Sequence, residues 1–147
     1  MNRLFVLLLC TVFSFSACNK ETVNISSFNM ELLTYTGMCG TILLKVDSIN
    51  TQLDSTKLTC NSNKQLINLK TSEEKYNRIK QYISTLNLMK FKNTSCDRCV
   101  DGVDYIFKLT VNGKYNEFSI PGSMSGEFPN KEKFKELLLL INTFNKP

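Results

Sequence analysis

The sequence predicts an α+β fold: an antiparallel sheet of about four to six strands, with two helices packed on one face. Three observations predict it. Segments in which apolar and polar residues alternate come first, a capped amphipathic segment follows, and a hairpin sequence then precedes a second amphipathic segment. The chain has 147 residues, of which 42% are hydrophobic and 21% charged, and this composition is typical of one globular domain.

The first half of the chain contains four strand candidates. Apolar and polar residues alternate in residues 28–35 and again in residues 42–47, as in strands that bury one face. Between them, residues 36–40 contain two glycines, which supply the positive φ that a reversal needs. Weaker strand candidates are residues 55–60 and 65–70, which a turn-forming Asn-Ser-Asn sequence separates.

The first predicted helix covers about residues 72–87. It follows a capping box, in which the Thr71 hydroxyl accepts from the backbone N–H of Glu74 and the Glu74 carboxylate reaches back. Apolar side chains then recur at helical spacing: Tyr76, Ile79, Ile83 and Leu86. Residues 88–91 are predicted to return the chain toward the core.

A β-hairpin around Asn112-Gly113 is the element that the sequence defines best. Apolar residues alternate from Val103 to Val111, and Asn-Gly is typical of a two-residue hairpin turn. Such a turn fixes the register, because Val111 must then pair with Lys114. Counting outward gives three favourable cross-strand pairs: Phe107 with Phe118, Tyr105 with Ile120, and Lys108 with Glu117.

The second predicted helix covers about residues 131–144, after a Gly/Ser/Pro-rich loop at residues 121–129 and a cap at Asn130. Its predicted core stripe consists of Phe134, Leu137, Leu138, Ile141 and Phe144. Leu139 and Leu140 widen this stripe, so either two surfaces of the helix are buried in the domain or one of them contacts a partner.

Composition excludes several function classes. The chain contains no histidine, which excludes Ser-His-Asp and Cys-His nucleophile pairs and histidine zinc sites. The segment at residues 122–126 has Met124 where a nucleophile elbow needs serine, and no phosphate-binding glycine loop is present. The net charge of +5 is spread along the chain without a basic cluster. The sequence therefore predicts no enzymatic activity, no cofactor and no nucleic-acid partner.

The N-terminus has the layout of a secretory signal. Arg3 precedes an apolar run that ends at Phe15, and the small residues Ser16 and Ala17 lead to Cys18. The last four of these residues resemble the lipobox of bacterial lipoproteins, with Phe15 in place of the usual leucine. The resemblance implies a Gram-negative lipoprotein that is cleaved after residue 17 and anchored in a membrane by lipid on Cys18. The residue after the cysteine, asparagine rather than aspartate, implies the outer membrane.

The predicted organisation is a removed signal peptide at residues 1–17, a lipidated N-terminus and tether at 18–27, and a single α+β domain at 28–147. The domain contains four cysteines: Cys39, Cys60, Cys96 and Cys99. In an exported protein they predict two disulfides with three possible connectivities, of which we prefer 39–60 with 96–99. A redox dithiol in the C-x-x-C of residues 96–99 and a four-cysteine zinc site are the alternatives.

The order of elements, the glycine-rich first turn and the Cys/Asp-Gly segment before the hairpin resemble small exported lipoprotein domains of unknown function. The layout is also similar to emfourin-type protein inhibitors of metalloproteases. This resemblance implies a non-enzymatic protein-binding or inhibitor/immunity module, whose partner is an envelope protein, a protease or a toxin. Its predicted contact residues are Met38, Met124 and Phe128, in two loops. The alternative is a structural or assembly accessory lipoprotein of an envelope complex.

Overall fold

A computed structural model describes residues 24–36, 39–54, 66–94, 102–124 and 127–145. The elements in chain order are β1 (Phe28–Thr36), β2 (Cys39–Val46), β3 (Asn50–Asp54), β4 (Leu66–Lys70), α1 (Glu73–Thr85), β5 (Val103–Val111), β6 (Lys114–Pro121) and α2 (Lys131–Asn142). The six strands form one antiparallel sheet in the order β4-β3-β2-β1-β5-β6. This confirms the predicted α+β class, and it places the first strand in the middle of the sheet.

The core lies between one face of the sheet and the two helices. Along β1 and β5 every second side chain is directed to this face, because successive residues of a strand alternate. Phe107 is fully buried there, stacks on Phe118 with ring centroids 5.0 Å apart, and also contacts Phe134 of α2. The sheet contributes Phe28, Met30, Leu32, Leu44, Val46, Leu53, Phe107, Leu109, Val111, Phe118 and Ile120 to the core, and the helices contribute Ile79, Ile83, Phe134, Leu137, Leu140 and Ile141.

The predicted hairpin is confirmed residue by residue. Val111 pairs with Lys114, and all three predicted cross-strand pairs are present. The two turn residues have positive φ, 48° for Asn112 and 79° for Gly113, as the two-residue turn requires.

The helix α1 is where the sequence predicts it, but the N-cap is the next residue. The Ser72 hydroxyl, rather than that of Thr71, accepts from a first-turn backbone N–H, that of Lys75. The Thr71 hydroxyl is instead buried against the Thr51 hydroxyl of β3, at 3.0 Å. The competing tertiary hydrogen bond explains why the cap moves.

The helix α2 is also present, but Asn130 does not cap it with its side chain. Asn130 adopts a left-handed conformation with φ 62°, and only its backbone carbonyl accepts from Phe134 N. The regular helix ends at Asn142 and continues as a 3-10 turn, Thr143–Asn145. Of the two leucines that widen the stripe, Leu140 is buried in the core and Leu139 is 65% exposed.

The sequence did not predict the third strand of the structure. Residues 55–60 lie outside the described residues, and the strand that pairs with β2 is β3, directly after a tight turn. The Asp47 carboxylate makes this turn, since it accepts from the backbone N–H groups of Ile49 and Asn50. Because β3 reads Asn-Thr-Gln-Leu-Asp, with Leu53 as its single large apolar residue, it shows no clear hydrophobic alternation.

Candidate functional site

Of the predicted contact residues, Met124 belongs to the core and Phe128 packs against it. Met124 is only 9% exposed, and Phe128 packs its ring edge-on against Phe134 at 5.8 Å between centroids. Met124 is therefore not exposed to a partner, whereas Phe128 is half-buried and stays a predicted contact residue. The loop folds inward because Gly122 N donates to the Val103 carbonyl at 2.6 Å. The third predicted contact residue, Met38, lies outside the described residues.

The cysteine predictions stay predictions. Cys39 is the first residue of β2, and its backbone pairs with Thr36 of β1. Cys60, Cys96 and Cys99 lie outside the described residues, and so does Cys18, the predicted lipidation site. Neither a disulfide nor a lipid attachment is therefore described.

The chain that enters the domain is fixed to the β5–β6 turn by one side chain. The Asn112 amide oxygen accepts from the backbone N–H groups of Ser26 and Ser27, at 2.9 and 3.3 Å, and from the Ser26 hydroxyl at 2.7 Å. Its amide nitrogen donates to the Asn24 carbonyl at 2.8 Å. Ile25, within this segment, is buried in the core. The packed structure thus extends upstream of Phe28, into the segment expected to be tether.

The second face of the sheet is not covered by the helices, and we call it the helix-free face. It consists of the alternate residues Asn29, Glu31 and Leu33 of β1, Lys45 of β2, Ile106, Lys108 and Thr110 of β5, and Tyr115 and Glu117 of β6. Across its middle runs a row of charges. Glu31 pairs with Lys45 on one side and with Lys108 on the other, and Lys108 pairs with Glu117. The signs alternate over four neighbouring strands, which favours this register.

A shallow cleft of about 150 Å³ opens on this face. Its lining comprises Asn29, Met30, Glu31, Lys45, Lys108, Thr110 and Tyr115. Tyr115 is 60% exposed, and its hydroxyl donates to the Glu117 carboxylate. That hydrogen bond is the main cause that raises the pKa of Tyr115 to about 12, with smaller contributions from burial and from the negative charges of Glu117 and Glu31.

Beside the charged row lies a small apolar pair, Leu33 and Ile106, which face each other across β1 and β5. Both are buried, although neither belongs to the main core cluster. The exposed part of the helix-free face therefore presents an aromatic ring, that of Tyr115, beside charges of both signs. Such a surface can bind a protein through the Tyr115 ring and oppositely charged side chains, because Tyr and charged groups together give both contact area and specificity.

Sequence reasoning missed this face as a site, although it predicted one of its pairs, Lys108 with Glu117. Glu31 and Lys45 are visible in the sequence as polar positions of strands, but the row they form depends on the strand order.

Among the described residues no group of His, Cys, Asp and Glu side chains is arranged to hold a metal ion. In the same part of the chain, no helix has the length and apolar character needed to cross a bilayer. A comparison with models of known protein families found no match, and neither did a comparison with curated protein sequences.

Proposed function

We propose that this protein is a lipid-anchored, non-enzymatic protein-binding module of a bacterial cell envelope, which binds its partner through the helix-free face. The partner is another envelope protein, a protease or a toxin, so that the module acts as an inhibitor or immunity protein. The observation that carries the proposal is the broad sheet face that the helices leave open, with its alternating charges and exposed Tyr115.

The lipid anchor is supported by the resemblance of Phe15-Ser16-Ala17-Cys18 to a lipobox. The hydrogen bonds of Asn112 are consistent with it, because they fix the chain from Asn24 onward to the domain. Cys18 and Asn24 are six positions apart, and a chain of that length reaches at most about 20 Å. A lipid on Cys18 would hold the domain close to the membrane.

The binding role is supported by the composition of the helix-free face. Tyr residues at interfaces give large contact area at a low entropy cost, and charges around them select the partner. Lys45 and Lys108 flank Glu31, so the face can distinguish a partner by the order of its charges. The half-exposed cleft beside Tyr115 offers a place for one apolar or aromatic side chain of the partner.

The anchor is tested by fractionating cells that express the full chain with Cys18→Ala. We expect this variant to leave the membrane fraction and to lose labelling by a radioactive or alkyne-tagged fatty acid. Cys10→Ala is the matched control, since Cys10 lies in the segment that the proposal removes. Labelling that persists in Cys18→Ala would refute the anchor.

The binding role is tested by purifying the tagged, acylated protein from its own envelope and identifying the co-purified proteins by mass spectrometry. We expect one near-stoichiometric partner, which Tyr115→Ala and Lys108→Glu should release. Leu139→Ala is the control, because Leu139 is equally exposed but lies on α2. A partner that stays bound to both face variants would refute the helix-free face as the site. A large complex of envelope proteins would instead indicate the accessory role.

A further inference from the structure

The two edges of the sheet differ. The β6 edge is covered by the segment that follows α1. Asn116 donates through its side-chain amide to the Leu88 carbonyl at 2.6 Å, and Ser119 N donates to the Asn93 side chain at 2.8 Å. The Thr94 N–H also donates to the Ser119 carbonyl at 3.3 Å. The segment after α1 therefore occupies this edge from Asn116 to Ser119.

The β4 edge has no such cover among the described residues. β4 pairs with β3 on one side, and all five of its side chains are exposed. Three of them are large and apolar: Leu66, Ile67 and Leu69. A fourth exposed apolar side chain, that of Ile49, is close by, since the Ile49 carbonyl accepts from Thr71 N. The described part of the chain exposes six large apolar side chains, so most of them are at this edge. An apolar, unpaired edge strand is a template for another strand.

We propose that two copies of this chain pair through β4. The two strands run antiparallel around a two-fold axis at Asn68, and the two sheets join into one. This inference concerns the assembly of the protein and does not depend on the lipid anchor or on the helix-free face.

The second copy fits because β4 is complementary to itself. With the axis at Asn68 all five residues of each strand are paired, whereas an axis one residue away would leave part of the strand unpaired. Ile67 then faces Leu69 of the second copy, on the side of the sheet that carries the core. These two side chains are 44% and 45% exposed in the single chain, and the pairing covers both.

The charges of β4 also fit this register. Lys70 is the one charged residue of the strand, and the axis at Asn68 places it opposite Leu66 of the second copy. No like charges oppose each other. Asn68 faces its own copy across the axis, next to Gln52 of β3, so the neighbours of the axis are uncharged. Because the pairing is two-fold symmetric and uses the β4 edge of each copy, it closes at two copies.

The test is sedimentation equilibrium of the full chain in density-matched detergent, with the wild type and three variants. We expect the wild type to sediment as two chains. Asn68→Lys should weaken the dimer about tenfold, because it sets two lysines directly opposite each other at an exposed position. Ile67→Lys should weaken it about a hundredfold, since each dimer loses two apolar pairs. Leu139→Lys is the control and should leave the dimer unchanged.

The register is tested by placing the photo-cross-linking amino acid p-benzoylphenylalanine at Asn68 or, as the matched control, at Asn116 of the covered edge. Irradiation should give a product of two chains for position 68 and none for position 116. The proposal is refuted if the wild type sediments as a single chain, or if Asn68→Lys dimerises as the wild type does. A position-68 product with a different protein would also refute it, since the edge would then serve another partner. Circular dichroism checks that each variant is folded.

Discussion

The Asn112 side chain makes four hydrogen bonds to the chain that enters the domain, and its removal gives a graded prediction. Asn112→Gly keeps the positive φ that the turn requires but removes all four bonds. These bonds are exposed, so each contributes at the low end of the usual range, about 0.5 kcal/mol. The expected loss in the free energy of unfolding is therefore about 2 kcal/mol.

Two further substitutions at Asn112 separate the side-chain bonds from the turn. Asn112→Ala loses the same bonds and also strains the backbone at φ 48°, which adds about 1 kcal/mol. Asn112→Asp keeps the oxygen that accepts from Ser26 and Ser27 but loses the donor to the Asn24 carbonyl, so its free energy of unfolding should fall by only about 0.5 kcal/mol.

Urea unfolding of the full chain, followed by circular dichroism, measures this series, and equal slopes confirm that only stability changes. Hydrogen exchange of the Ser26 and Ser27 amides gives an independent readout, since both should exchange faster in Asn112→Gly. From most to least stable, the order should be the wild type, Asn112→Asp, Asn112→Gly and Asn112→Ala. A glycine variant within about 0.5 kcal/mol of the wild type, with unchanged protection of Ser26, would refute the reasoning.

Three other perturbations test the core, the loop and the helix-free face. Met124→Asp should destabilise the fold by about 3 kcal/mol or more in urea unfolding, because it buries a charge among apolar side chains. Gly122→Ala should lose about 1–3 kcal/mol in the same assay, because its Cβ would lie 2.6 Å from the Val103 carbonyl oxygen. NMR titration of the Tyr115 ring should give a pKa near 12 in the wild type, and Glu117→Gln should lower that pKa toward the ordinary tyrosine value of 10.0. Since the folded chain holds the Tyr115 proton more tightly than the unfolded chain, the stabilisation should be complete below about pH 10 and decline up to about pH 12.

Each of these results has a control. Met124→Leu keeps an apolar side chain of similar volume and should lose less than about 1.5 kcal/mol. In Gly113→Ala the added Cβ would have no atom within 4 Å, so any loss of stability there would come from the positive φ of 79° alone. An aspartate at position 124 that leaves stability unchanged would show that this side chain is solvated. A Tyr115 pKa that does not respond to Glu117→Gln would assign the shift to another cause.

The sequence predicted most accurately those elements whose partners are close in the chain. The register of the β5–β6 hairpin follows from one turn and the alternation beside it, so Phe107 and Phe118 could be paired without a structure. Residues whose roles depend on distant segments were predicted less well. Thr71 fits a capping box locally, but its hydroxyl is bonded to Thr51, and this choice depends on where β3 lies.

The candidate site could not be predicted for the same reason. The charged row requires β1 to lie between β2 and β5, and no local pattern gives that order. Met124 was predicted to be a contact residue because it lies in a glycine- and serine-rich loop segment, but its side chain is buried. The close approach of Gly122 to Val103 turns that segment inward instead, and the sequence contains no signal of this contact. The sequence assigned Asn112 only to the turn and did not predict its hydrogen bonds to Asn24 and Ser26.

The central position of β1 affects the order in which the chain can fold. β1 is made first, yet one of its edges remains unpaired until β5 has been synthesised, and the segment before it binds a residue 86 positions later. Contacts of this sequence separation form slowly, because a long loop must close before they stabilise anything. We therefore expect a chain that stops before Val103 to aggregate rather than fold, which light scattering of a fragment ending at Thr94 would measure. If the chain is exported as an extended thread, this delay keeps it unfolded until most of its length has crossed.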